Sequence, residues 1–318
     1  MSDSWSERLA AAGYALGWWA VRRTPPRLTA PAFRRGGEYA VRRDGAGVRQ
    51  LRSNLTRVLC AGGARPTEAE IQAAVTAAMR SYARYWHEVF SLPAMDPAAL
   101  FAEVDTSVLG VEHLRAALGQ GRGAVAALTH SGNWDVAGAW LTQALATLGE
   151  PATLVTVAER LRPDSLYRRF VGYREALGFE ILPADGGPRM VATLAARLRE
   201  NRVVCLLGDR ELGAGGVEVD FFGAPARVPA GPATLARHTG AALLPFGGWF
   251  TDGGWGLRFR PPVSVEPGPV RPAVRSTTQK LIRAFEADIS EHPTDWHMLQ
   301  PIWVADNTSA RLPEVARR

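Results

Sequence analysis

The chain contains very little lysine and very little cysteine. Lys280 is the only lysine among 37 basic residues, so nearly every positive charge is carried by arginine. The two cysteines, Cys60 and Cys205, give no disulfide framework and fit a reducing compartment or an apolar interior. His292 and His297 are close in sequence but lack a convincing third metal ligand. We therefore expect neither a disulfide-stapled protein nor a metal centre.

The sequence also lacks an apolar run long enough to cross a bilayer. The longest charge-free apolar stretch near the start covers residues 9–21, whereas a spanning helix needs about eighteen residues. Glu7 precedes this stretch and Arg22 and Arg23 follow it directly, which does not fit a cleavable signal peptide. Because the run contains Trp18 and Trp19 and follows Trp5, it is typical of an interfacial helix or of a helix packed on the core.

The basic residues are concentrated near the start of the chain. The net charge is +6, and hydrophobic residues make up 47% of the sequence, as in an ordinary soluble protein. The segment from Arg22 to Arg57 contains ten arginines but only two acidic residues, Glu38 and Asp44. Such a segment favours an anionic surface, either phospholipid headgroups or nucleic acid, although a solvated helical face has the same composition. The absence of an aromatic-interleaved motif argues against nucleic acid.

Apolar runs and helical patterns alternate over most of the chain. The first hundred residues are helical in pattern, with a capping box at Thr67 and Glu70. The pattern then predicts strands at 124–128, 153–158, 179–182, 203–207, 242–250 and 256–265, separated by helices at 136–148, 163–177, 189–200, 231–240 and 276–290. This order predicts an α/β fold with a central, mainly parallel (mixed) sheet flanked by helices and a helical N-terminal layer. We expect one domain over 1–318, with a helical part (1–95), an α/β core (96–305) and a tail (306–318).

A histidine and a carboxylate lie five positions apart after the first of these strands. His130 falls in the predicted turn and Asp135 in the first turn of the following helix, which Ser131 or Asn133 would cap. On one continuous helix this spacing would separate the two side chains by roughly 140°, so they meet only in a strand–turn–helix arrangement. An imidazole held by a carboxylate is what a general base requires, whereas many such pairs are only surface hydrogen bonds.

Two further charged clusters follow predicted strands. Asp209, Arg210 and Glu211 come directly after an apolar strand, and Glu159 and Arg160 follow another. Because ligands bind at the carboxyl edge of open α/β sheets, we expect these groups to converge with His130 on one polar site. Surface ion pairs are the alternative interpretation.

The His130-Ser131-Gly132-Asn133-Trp134-Asp135 segment resembles the H-x4-D/E signature of glycerolipid and lipid A acyltransferases. The details are similar to the branch that contains the late lipid A and the actinobacterial phosphatidylinositol mannoside acyltransferases. The supporting segments extend over nearly the whole chain and are 80–86, 165–170, 208–212, 217–223, 229–233 and 292–296.

The resemblance implies a role for each matching residue. His130 would be the general base, Asp135 its orienting partner, and Asp209 or Glu211 a third catalytic acid. Arg168 is the match for the family's substrate-contacting arginine, and Arg160, Arg210, Asn133 and Ser131 are further substrate-binding candidates.

The resemblance also implies the reaction. A long-chain, palmitoyl-like acyl group would pass from acyl-CoA to a mannose hydroxyl of a phosphatidylinositol mannoside, at the cytoplasmic face of the inner (plasma) membrane. Acyl-CoA would serve as co-substrate, with no cofactor, metal or nucleic acid. Ser131 is not in a Gly-x-Ser-x-Gly elbow, which argues against a serine nucleophile. A lipid A-type acyltransferase, an acyl-CoA hydrolase and a non-enzymatic anionic-lipid-binding protein remain the alternatives.

Overall fold

Helices form the first part of the chain and then alternate with strands. A computed structural model of the protein describes residue 17 and residues 21–159, 164–184, 186–211 and 216–309. Its α-helices are α1 (Pro26–Arg43), α2 (Ala46–Cys60), α3 (Glu68–Ser91), α4 (Pro97–Asp105), α5 (Val111–Leu118), α6 (Trp134–Thr147), α7 (Asp164–Ala176), α8 (Pro188–Arg199), α9 (Gly231–Thr239), α10 (Val270–Glu291) and α11 (Val304–Ser309). No helix in these ranges is both long and apolar enough to cross a membrane.

Seven strands form the central sheet, and two more form a separate hairpin. The strands are β1 (Val108–Leu109), β2 (Ala124–Leu128), β3 (Leu154–Ala158), β4 (Phe179–Pro183), β5 (Val203–Leu207), β6 (Val217–Phe221), β7 (Ala224–Val228), β8 (Ala242–Phe250) and β9 (Trp255–Phe259). The sheet order is β1-β9-β8-β2-β5-β3-β4, and only the β8–β9 pair is antiparallel. The predicted α/β fold with a mainly parallel sheet is therefore confirmed.

Strand β2 lies in the middle of this sheet and is covered on both faces. Val125 and Ala127 pack into the layer that contains Phe285 of α10, whereas Ala126 packs into the layer that contains Trp140 of α6. All five residues of β2 are buried, as a central parallel strand requires. The loop at its carboxyl end is therefore attached to a strand that is buried on both faces.

The N-terminal helical layer is built around α3. The capping box predicted at its start is confirmed: the hydroxyl of Thr67 accepts from the Glu70 N–H, and the Glu70 carboxylate accepts from the Thr67 N–H at 2.7 Å. Helix α1 crosses α3 at Gly37, where a Cβ atom would lie only 2.5 Å from the Met79 carbonyl oxygen. This close approach brings the arginine-bearing helix against the core.

Two details differ from the sequence-based expectation, and a third is not tested. The strand predicted over 256–265 ends at Phe259, because Pro261 and Pro262 follow and proline lacks the N–H that a central strand uses. Strand β1 and the β6–β7 hairpin were not expected, since such short elements carry little periodicity. Pro163, expected in the first turn of a helix, lies outside the described residues, and that helix is described from Asp164.

Candidate active site

The loop that carries His130 joins β2 to α6, so the predicted strand–turn–helix order is confirmed. Asn133 caps the helix: its side-chain oxygen accepts from the N–H groups of Asp135 and Val136, both at 3.1 Å. Gly132 has a φ of 59°, and a Cβ atom there would lie 2.7 Å from the backbone of Gly248. The turn thus needs glycine at this position and holds the His130 backbone against β8.

His130 forms a pair with Asp209, which follows the neighbouring strand β5. The ring Nδ1 lies 2.6 Å from Asp209 Oδ1, and the His130 N–H donates to Asp209 Oδ2 at 2.9 Å. The sheet register explains this pairing, because Leu128 and Leu207 are partners and each residue of the pair lies two positions beyond them. The two loops therefore converge at the carboxyl edge of the sheet, as expected for an α/β site.

The expectation that Asp135 orients His130 is wrong in its geometry. Asp135 is 1% exposed and accepts from Arg174, with Nε–Oδ1 at 2.6 Å and a second guanidinium nitrogen 3.0 Å from Oδ2. The hydroxyl of Tyr85 donates to the same carboxylate at 3.2 Å. A buried carboxylate requires a partner of opposite charge, and α7 supplies it. Asp135 thus joins helices α6, α7 and α3, while Asp209 holds the imidazole.

Sequence reasoning missed Arg174. Its burial would by itself lower the pKa of the guanidinium, but the charge and hydrogen bonds of Asp135 raise that pKa above its ordinary value. The sequence does contain a signal, since a carboxylate in the first turn of a buried apolar helix demands a cation from a neighbouring helix. Helix α7 offers Arg168, Arg169 and Arg174, and the pattern alone does not separate them.

The environment of Asp209 keeps it ionised. Complete burial would raise its pKa, but the positive charge of His130, the hydrogen bonds from the ring and N–H of His130, and that from Trp296 Nε1 together lower it below the ordinary range. An ionised carboxylate can only accept, so His130 Nδ1 carries the proton that is donated to it. In the neutral imidazole the other ring nitrogen, Nε2, holds the lone pair that a general base requires.

Aromatic rings line the His130 loop. Trp134 lies between Tyr85, with ring centroids 4.0 Å apart, and His130, with centroids 5.7 Å apart. Burial and the charge of Asp135 raise the pKa of Tyr85 well above its ordinary value, so its hydroxyl stays protonated. The His130 side chain is 16% exposed. The imidazole thus packs against aromatic side chains and remains partly exposed to solvent.

Two of the other predicted site residues serve the loop itself. Ser131 accepts from the Thr129 hydroxyl at 2.9 Å and has its backbone paired with Trp296. Besides capping α6, Asn133 donates its side-chain N–H to Glu88 Oε2 at 2.8 Å. These contacts hold the turn around His130.

The remaining predicted residues lie in the neighbouring loops and in α7. An outer nitrogen of Arg210 is 3.8 Å from a Glu159 carboxylate oxygen, and Glu211 lies beside Gly216. Arg168 is exposed on α7, six positions before Arg174. Arg160 lies outside the described residues. The described ranges contain no group of three histidine, cysteine or acidic residues arranged to hold a metal ion.

Comparison with known proteins identifies the family of this fold and site. A family model described as bacterial lipid A biosynthesis acyltransferase matches residues 6–304. The chain belongs to this family. It is also 48% identical over 306 residues to a phosphatidylinositol mannoside acyltransferase of Mycobacterium tuberculosis, covering 96% of this chain and 92% of the relative. A phosphatidylinositol mannoside acyltransferase of Mycolicibacterium smegmatis is 49% identical over 300 residues, covering 94% and 93%.

Proposed function

We propose that this acyltransferase moves a long-chain, palmitoyl-like acyl group from acyl-CoA to a mannose hydroxyl of a phosphatidylinositol mannoside, with His130 as the general base. The 2.6 Å contact between His130 and the buried Asp209 carries the catalytic part of the proposal. Relatives at 48–49% identity over more than nine-tenths of the chain carry the acceptor part, because their names state it.

The proposed reaction is a single displacement at the thioester carbonyl. A sugar hydroxyl is a weak nucleophile, so His130 Nε2 takes its proton while the oxygen attacks the carbonyl carbon. The tetrahedral intermediate collapses by breaking the carbon–sulfur bond, and the CoA thiolate recovers the proton from His130 as free thiol. Asp209 stabilises the imidazolium between these steps. Thiolate is a good leaving group, so the scheme needs no covalent enzyme intermediate.

The oxyanion of that intermediate needs hydrogen-bond donors. The helix N–H groups of Asp135 and Val136 are already used by the Asn133 side chain. Arg210 follows Asp209 directly, and its buried Nε has no hydrogen-bond acceptor within the described part of the chain. We therefore take the Arg210 guanidinium as the candidate hydrogen-bond donor to the oxyanion.

The direct test is thiol release from palmitoyl-CoA with and without a mannosylated phosphatidylinositol acceptor. An acyltransferase releases thiol in step with acylation of the acceptor. Release that ignores the acceptor would instead indicate a hydrolase, and transfer to a lipid A-type acceptor alone would favour the second candidate, which the family match supports. The absence of any thiol release would contradict palmitoyl-CoA as the donor. It would leave a lipid A-type acyltransferase that uses acyl carrier protein as donor, or the lipid-binding alternative.

Substitution of the dyad tests the mechanism. His130→Ala and Asp209→Asn should each lower kcat by about 10²–10⁴-fold, because the base or the group that orients it is lost. The matched control is Asp288→Asn, which removes another largely buried carboxylate that binds Arg258 and Arg260. Near-normal turnover by a folded His130→Ala protein would contradict the mechanism.

We also propose that the protein works as a peripheral protein on the cytoplasmic face of the inner membrane. Eight of the ten arginines between Arg22 and Arg57 are exposed, and Leu28 and Tyr39 beside them are 63% and 56% exposed. Positive charge with exposed apolar side chains is what an anionic lipid surface attracts.

Vesicle binding tests this surface. Replacing Arg34, Arg35, Arg42 and Arg43 together with glutamine should weaken co-sedimentation with anionic vesicles, since each basic residue contributes about 1 kcal/mol near such a surface. Replacing the exposed Arg189, Arg199, Arg271 and Arg275 together is the control for an equal loss of charge elsewhere. Equal binding by the quadruple variant and the wild type would contradict the membrane proposal.

A further inference from the structure

Three consecutive residues that follow the last long helix, α10, run alongside the His130 loop. Asp295 accepts from the Gly132 N–H at 2.9 Å through its carbonyl oxygen, and the His297 N–H donates to the His130 carbonyl at 2.7 Å. Between them, Trp296 pairs with Ser131 in an antiparallel bridge. We call residues 295–297 the C-terminal strap. The strap forms backbone hydrogen bonds with residues 130–132 at the carboxyl edge of the sheet, beside the candidate base.

The side chain of Trp296 reaches the dyad. It is fully buried, and its indole Nε1–H donates to Asp209 Oδ2 at 2.9 Å, the same oxygen that accepts from the His130 N–H. The other oxygen, Oδ1, accepts from the imidazole. Among the described residues, three donors therefore hold the two carboxylate oxygens, and the indole is the one that does not come from His130.

The strap is itself held by buried polar contacts. The Asp295 carboxylate accepts from the Ser81 hydroxyl at 2.6 Å and from the Phe250 N–H at 2.9 Å. Because Ser81 gives its single proton to Asp295, the His297 Nε2–H must be the donor in the 2.8 Å contact with Ser81 Oγ. Helix α3 and strand β8 thus fix the strap from both sides, which leaves the indole little freedom to move away from Asp209.

We infer that Trp296 is a positioning residue for catalysis, because its indole N–H sets the orientation and basicity of the Asp209 carboxylate that holds His130. The inference rests on the proposed function. A carboxylate with one donor fewer is a stronger base and is free to rotate about its own axis. These changes alter the basicity and the orientation of the imidazole that is bound to the carboxylate, although the indole itself is fully buried.

The structure supplies a matched pair of variants. Trp296→Phe removes the N–H donor to Asp209 and keeps most of the buried ring. Trp303→Phe makes the same chemical change at another fully buried tryptophan, whose Nε1–H donates at 2.8 Å to the Phe221 carbonyl instead. The two indoles pack edge to face, with centroids 6.2 Å apart. Any general cost of losing a buried indole N–H is therefore common to both variants.

The pH profile separates positioning from stability. In Trp296→Phe we expect the acid-side midpoint of kcat/KM to rise by roughly 0.5–1 pH unit, since one net hydrogen bond is worth about that much. We expect kcat to fall roughly tenfold while the KM for palmitoyl-CoA stays the same. Trp303→Phe should change neither quantity. A wild-type profile in Trp296→Phe, or the same shift in both variants, would overturn the inference.

A measurement without substrate keeps this inference distinct from the proposed reaction. The indole N–H resonance of Trp296, assigned by its loss in Trp296→Phe, should shift in Asp209→Asn, whereas that of Trp303 should not. This result is expected even if wild-type protein transfers no acyl group, which would overturn the proposed function alone. A Trp296 resonance unaffected by Asp209→Asn would overturn the positioning role itself.

Discussion

Protonation of the buried His297 should make the folded protein sensitive to mild acid. The side chain is 5% exposed, and burial together with the nearby charge of His130 lowers its pKa from the ordinary 6.5 to about 3. The folded-state pKa is thus below the unfolded one, so the unfolded chain binds more protons at acidic pH. The stabilisation is present above pH 6.5 and is lost progressively as the pH falls toward 3.

The size of this destabilisation follows from how far the pH lies below the pKa of His297 in the unfolded chain. Each pH unit in this window lowers the free energy of unfolding by about 1.4 kcal/mol. At pH 5 the neutral, buried His297 has therefore lowered it by about 2 kcal/mol. Other groups also titrate, so the contribution is isolated by a variant that cannot take up the proton. His297→Gln keeps an N–H able to donate to Ser81 and removes the titration.

The assay is urea unfolding followed by circular dichroism at pH 7 and at pH 5. The difference in unfolding free energy between wild type and His297→Gln should move by about 2 kcal/mol in favour of the variant at the lower pH. His238→Gln, at an exposed imidazole, is the control and should show no comparable movement. A wild-type minus His297→Gln difference that stays constant between the two pH values would refute the reasoning.

Three further outcomes follow from single contacts. Arg174→Met should lower the unfolding free energy by about 3–5 kcal/mol in denaturant titrations, because it leaves the Asp135 carboxylate buried without its cation. Gly132→Ala should lower both stability and acyl transfer in parallel thermal and activity assays, since its Cβ would collide with Gly248. Thr67→Ala should cost about 1 kcal/mol of stability and leave kcat unchanged, because it removes only a helix cap.

Local patterns in the sequence predicted the elements that position the site. The apolar run of β2, the polar turn after it and the Asn133 cap depend on neighbouring residues, so the strand–turn–helix unit and its charged carboxyl edge could be inferred. The capping box at Thr67 is equally local. Where the determining residues are adjacent in the chain, sequence reasoning succeeded.

The partners within the site depend on contacts between distant segments. Asp209 meets His130 because β2 and β5 are neighbours in register, and the sequence fixes neither adjacency nor register. Arg174 is the partner of Asp135 only because α7 packs beside α6, which no pattern within either helix states. Asp295 and Trp296 of the strap lie in the segment 292–296 that carries the family resemblance, but the hydrogen bond from the indole to Asp209 required the tertiary structure.

The strap also makes the proposed catalytic geometry depend on the order in which the chain is synthesised. Residues 295–297 follow every described strand of the sheet, yet they hold a loop that was made more than 160 residues earlier. A nascent chain that has reached the end of β9 has all its described strands and both members of the dyad, but not the indole that holds Asp209. We therefore expect ribosome-bound chains stalled before Trp296 to release little thiol from the proposed acyl-CoA donor, so that the donor is spared until residues 295–297 have been made.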